Sequence, residues 1–150
     1  MLALSHALAR LMLFGALVVT GRVWADDVLS IEVFTTSERG IVGAEDERLR
    51  LAHVRIFTID QLARFESELS ESLPTEAEAA KAEALRRLQG LDDADLAPAK
   101  SAALGLAKAA QYAIDRYPAI VFDGRAVVYG ITVLVEAVGH YDAWRRESER

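Results

Sequence analysis

The chain has 150 residues, no cysteine, and a formal net charge of −6 from 17 basic and 23 acidic side chains. Lack of cysteine excludes thiol chemistry, disulfides and a cysteine-linked lipid anchor. The acidic balance, with no cluster of Lys or Arg to make a local exception, argues against a nucleic acid partner.

The first residues have the layout of a secretory leader. Arg10 precedes an uncharged apolar run, Leu11 to Thr20, and Gly21 to Ala25 follow, with Val23 and Ala25 at the −3 and −1 positions of a cleavage site before Asp26. The run is about half of the roughly 20 residues that a spanning helix needs, and no later stretch is apolar enough to span. The expected organisation is a signal peptide over residues 1–25 and one domain over 26–150, a length suited to a single core. Cleavage removes Arg10 and Arg22 but no acid, so −6 becomes −8. The expected location is outside the cytoplasm.

Val28 to Thr35 alternates, with Val28, Ser30, Glu32 and Phe34 on one face and Leu29, Ile31 and Val33 on the other, as a strand does. A stretch to about Arg48 with Gly40 and Gly43 reads as a loop or short irregular helix. His53 to Ile59 is a second strand, setting Val54, Ile56 and Thr58 against Arg55, Phe57 and Ile59. Asp60 is placed to cap a helix carrying Leu62, Phe65, Leu69 and Leu73 and ended by Pro74. Thr75 and Glu78 form a capping-box pattern for a second helix, which ends at Gly90. A third helix, capped by Asp92 or Asp93, runs to about Arg116 with Leu96, Ala103, Leu106, Ala110 and Ile114 on one side. Pro98 must sit in its first turn or kink it. Ala119 to Phe122 and Ala126 to Tyr129 flank Asp123-Gly124, the two-residue turn signal of a hairpin. Gly130 breaks the second of these strands, and a last helix has Leu134, Ala137, Val138, Tyr141 and Trp144 as its apolar stripe. The expected fold is α/β or α+β: about four strands in a mixed sheet flanked by helices, closing with a β-hairpin and a helix.

In this order of elements, Tyr117 to Gly130 (YPAIVFDGRAVVYG) resembles the second half of the thioredoxin-like fold, with Pro118 at its proline position and Gly130 at the hairpin exit. Val33 to Ser37 is similar to the strand that enters the redox loop of such proteins. Ser37-Glu38-Arg39-Gly40 stands where active members carry two cysteines, and the connection to the second strand is too short and glycine-rich for their long first helix. The leader, VFTTSE at Val33 to Glu38, an Ala/Glu/Leu-rich middle and the Tyr117 to Gly130 stretch together resemble small exported proteins of integrating conjugative elements, encoded beside type IV secretion genes. That resemblance implies a non-catalytic accessory role in conjugative transfer, acting in the periplasm of a Gram-negative cell, with protein partners in the cell envelope and no cofactor.

Tyr117 and Pro118 rank first as a binding site: a cis proline at a sheet edge exposes the preceding backbone groups, which an extended peptide can pair with. A trans proline that starts an edge strand is the plainer reading. In a thioredoxin-like fold Thr35, Thr36, Ser37 and Glu38 would lie against that proline. A hydrolase or isomerase built on Thr36, Ser37 and Glu38 is the alternative function, and a periplasmic peptide-holding chaperone is another. Ser37 has no local histidine to act as its base. With His6 lost in the leader, His53 and His140 lack the paired spacing of a metal site, and the acidic runs lack the pattern of a calcium loop, so no metal is assigned.

Overall fold

Residues 28–150 are described by the computed structural model; the expected leader and its cleavage site lie outside them. The alternation in the first strand, β1 (Ser30–Thr35), sets the layering. Ile31 and Val33 enter one core cluster, with the last helix; Phe34 enters another, on the opposite face, with the third helix. A 3-10 turn (Glu47–Leu49) follows, capped by the Asp46 carboxylate on the Arg48 N–H, and then β2 (His53–Thr58). Three helices come next, α1 (Gln61–Ser70), α2 (Ala77–Gln89) and α3 (Asp93–Gln111). The hairpin strands β3 (Ala119–Phe122) and β4 (Ala126–Tyr129) and the helix α4 (Leu134–Ser148) complete the chain. The strands form one mixed sheet in the order β2-β1-β3-β4, with β1 and β2 parallel and the other pairs antiparallel. The fold is therefore the expected four-stranded sheet with helices on its faces, a C-terminal hairpin and a final helix.

Several element ends differ from expectation. The Asp60 side chain makes no cap bond to α1, and that helix stops at Ser70, where Ser72 turns the chain at φ +52°, before Pro74 is reached. At α2 the cap is Glu76, which accepts the N–H groups of Glu78 and Ala79, so the Thr75/Glu78 pattern is not the one used. Asp92 caps α3 in a reciprocal box with Asp95. Pro98 lies inside that helix, in its second turn, where it has no N–H to offer the Ala94 carbonyl. The helix ends at Gln111, not near Arg116: Ala113 takes φ +53° and the Ile114 N–H returns to the Ala109 carbonyl at 2.8 Å, a close that usually belongs to glycine. Asp123 and Gly124 both have positive φ, yet Phe122 pairs with Ala126, so the hairpin connection is three residues and not two. Trp144 is 46% exposed and stacks on buried Tyr141, which stacks in turn on Phe122.

The largest correction concerns α3. Its buried positions are Ala99, Ala102, Gly105 and Ala109, while Ala103, Leu106 and Ala110 of the expected stripe are exposed, as is Leu104. The reason is distance. A Cβ on Gly105 would lie 2.6 Å from Phe57 Cβ and 3.0 Å from Ile59 Cδ1, so the helix rests on β2 with no room for a branched side chain. Small residues face the sheet because the gap admits nothing larger.

At its C-terminal end α3 is fastened by charge. Glu32, 8% exposed on the α3 face of β1, accepts Lys108 Nζ at 2.6 Å and the Tyr112 hydroxyl at 2.8 Å, with the Arg55 guanidinium 3.7 Å away. Burial alone would raise the Glu32 pKa; Lys108, Tyr112 and Arg55 together outweigh it and hold the carboxyl below its ordinary value. A depressed folded pKa means that the unfolded chain takes up the proton first. Glu32 therefore contributes its full stabilisation above the ordinary value of 4.5 and loses it as pH falls through the lower folded value.

Three outcomes are expected. Gly105→Ala gains helix propensity but forces a clash with Phe57, and a net loss of about 1–3 kcal/mol should appear in urea unfolding. Ala113→Gly removes the positive-φ penalty and should gain about 1 kcal/mol in the same assay. Glu32→Gln should be less stable near neutrality and show a flatter loss of stability on acidification below pH 4.5, read from melting temperatures across a pH series.

Candidate functional site

The hydrogen-bond ladder shows where the centre of the sheet opens, beyond the Phe34 and Ala119 pair. Antiparallel pairing of β1 with β3 matches Glu32 with Val121 and Phe34 with Ala119, and the next matched position would be Thr36 with Tyr117. The strands part there. The Thr36 carbonyl accepts the Arg39 N–H at 3.0 Å, and the Tyr117 carbonyl accepts the Arg39 guanidinium, also at 3.0 Å. Arg39 thus takes the place of a departing strand on both sides of the gap.

Around this gap the structure gathers the residues singled out in the sequence. Thr35 is buried and its hydroxyl donates to the Arg39 carbonyl; Thr36 is half-buried; Ser37 and Glu38 are exposed. Pro118 is buried, Tyr117 is half-buried, the bond between them is cis, and the Pro118 carbonyl accepts the Gly130 N–H at 3.0 Å. Two further residues come from the start of α1. Asp60 turns its carboxylate to the Ser37 N–H at 2.8 Å instead of capping its helix, and the Gln61 amide reaches Ser37 Oγ at 3.4 Å. Beside them the Arg116 guanidinium lies 4.7 Å from the centre of the Tyr129 ring. Arg39, Asp60 and Gln61 were not in the expected set. Arg39 adjoins Ser37 in sequence, but its bond to Tyr117 spans 78 positions, and Asp60 carries the ordinary signal of a helix cap.

These contacts limit the chemistry. Gln61 Nε2 donates to Ser37 Oγ and cannot take its proton. Burial would raise the Asp60 pKa, but hydrogen bonding from Ser37, the Asp60 N–H and the charge of Arg64 together outweigh it and hold the carboxyl below its ordinary value, which makes Asp60 a weaker base. His53 begins β2, at the opposite end of that strand from Asp60, and His140 lies on α4, 4.0 Å from Glu136. The cluster offers donors, hydroxyls and the half-buried Tyr117 and Tyr129 for contact, and among the described residues Ser37 has no hydrogen bond to a basic acceptor.

No helix among the described residues is long and apolar enough to cross a membrane. No curated protein and no solved structure matches the chain. Residues 28–147, nearly the whole of the described part, match the family model described as "Protein of unknown function (DUF1525)", and the chain belongs to that family.

Proposed function

We propose that this protein is a non-catalytic accessory component of an integrating conjugative element, exported to the periplasm, which docks a protein of the type IV secretion apparatus at the carboxyl end of its sheet. The observation that carries the reading is the vacated ladder position at Tyr117, where the backbone carbonyl is held by one exposed arginine side chain and not by a strand. An arginine on a surface carbonyl exchanges readily for water or for another donor, so the Tyr117 peptide group is open to a partner's backbone. The accompanying fold reading is thioredoxin-like. The strand order β2-β1-β3-β4, the closing hairpin and the terminal helix support it, with Ser37 to Gly40 in the place of the redox pair. The Ser37 and Asp60 geometry favours binding over hydrolysis, since neither residue has a partner that would activate it.

The test uses cells that carry the whole element. A photo-cross-linking residue at Arg39 should give an adduct with an envelope or secretion component, and the same residue at Glu78 on α2 should give none. Ser37→Ala and Glu38→Ala should leave DNA transfer unchanged. Loss of transfer in Ser37→Ala at an unaltered melting temperature would make the site catalytic and overturn the reading, as would equal cross-linking from both positions.

A further inference from the structure

The outer edge of β2 is a second place where the backbone is unpaired, and its geometry follows from the parallel ladder. His53 donates to the Leu29 carbonyl and Ile59 to the Thr35 carbonyl, each at 2.8 Å, which fixes the alternation: His53, Arg55 and Phe57 turn their N–H and C=O groups toward β1. Val54, Ile56 and Thr58 therefore turn theirs outward, and among the described residues none of these groups has a hydrogen-bonding partner. The edge is straight, with six consecutive pairs to β1 and no bulge, and it contains no proline. Among the described residues, bulge and proline, two devices that usually protect an edge strand, are thus missing here, and Arg55 is the charge that remains.

The two faces of this edge differ. Val54, Ile56 and Thr58 share the face opposite α3, and Ile56 is 40% exposed there. On the α3 face stands Arg55, 60% exposed at its side chain and only the third partner of Glu32, which Lys108 and Tyr112 already hold more closely. From Arg48 to Ile59 there is no carboxylate, although acids outnumber bases in the chain as a whole.

We propose that the β2 edge receives an extended peptide segment in which apolar residues alternate with acidic ones, added as a fifth strand. Backbone groups of the segment pair with Val54, Ile56 and Thr58, its apolar side chains lie beside Ile56, and its carboxylates meet Arg55. A second copy of this chain fits less well. Neighbouring strands lie about 4.8 Å apart, whereas packed helices need about 8–10 Å. Because α3 rests directly on Phe57 of β2, two copies joined through this edge would bring their α3 helices too close. A lone strand brings no helix. The proposal is independent of docking at Tyr117.

The experiment titrates the purified protein with a synthetic seven-residue peptide alternating valine and glutamate, with a valine/lysine peptide as control, and follows backbone amides by NMR and hydrogen exchange. The expected result is an alternating pattern, with Val54, Ile56 and Thr58 amides shifted and protected while Arg55 and Phe57 are little changed, and no response to the lysine peptide. Ile56→Pro removes an outward N–H without touching the β1 ladder and should abolish binding; Arg55→Gln should weaken it about tenfold while keeping the alternating pattern. Should the proline variant unfold, the amide pattern of the unaltered protein decides the matter. Equal response to both peptides, shifts confined to Tyr117, or self-association through β2 in sedimentation would each overturn the proposal.

Discussion

The close contact between α3 and β2 is the constraint from which the rest of the architecture follows. With Gly105 seated on Phe57, the helix must offer the sheet its smallest residues and carry its leucines elsewhere. The approach brings Ala109 against the Phe34 and Phe57 pair, whose rings stack at 5.3 Å, and sets Lys108 and Tyr112 over Glu32. A larger residue at position 105 would lift the helix off both the aromatic pair and the buried carboxylate. Packing and ion pairing, interleaved from Gly105 to Tyr112, are therefore coupled through a single rigid element.

With α3 fixed, the central strand has little freedom. β1 is bonded to β2 on one side and β3 on the other, and its side chains are buried on both faces from Ile31 to Thr35. A strand so enclosed exposes backbone only where it ends, at Thr36, and where its neighbours run out of partners. This is why unpaired groups fall at the Tyr117 gap and along the outer edge of β2, in addition to the far edge of the sheet at β4. The first two positions lie on parts of the sheet that the core holds rigidly, as a surface that binds by backbone pairing requires.

How much of this could be read in the sequence depended on how local the cause was. The strands were legible because alternation is local: Ile31 and Val33 against Phe34, and Val54 and Ile56 against Phe57, were assigned to the faces they occupy. The hairpin was legible from Asp123-Gly124, though its length was not, since register depends on the whole ladder. The buried stripe of α3 was misread because hydrophobicity ranks Leu106 above Gly105, and only the distance to Phe57 reverses that order. At the site, Ser37 and Tyr117 were found by likeness to a known arrangement. Arg39 was missed because its role comes from β1 and β3 parting, an event that no residue near Arg39 signals.

The helices α1 and α2 show what the same sequence leaves weakly fixed. Neither has a fully buried residue. Their junction rests largely on Arg87, which donates to the Leu69 and Glu71 carbonyls at 3.1 and 2.7 Å and so satisfies acceptors at the end of α1 that the helix cannot. Glu83 holds Arg87 in place, with Arg86 beside it. Contacts of this kind, made near solvent and with little apolar burial behind them, are the first to open in native-state fluctuations. The sheet and α4 enclose large apolar side chains and do not share that weakness. A partner that needs a fixed template is better served by the sheet than by the α1–α2 pair, although that pair, with α3, displays Leu85, Leu88 and Leu104 at the surface. Exposed leucine measures the apolar area on offer, whereas an unpaired strand edge on a rigid core supplies direction and register, as the sheet edges and the Tyr117 gap do on this fold.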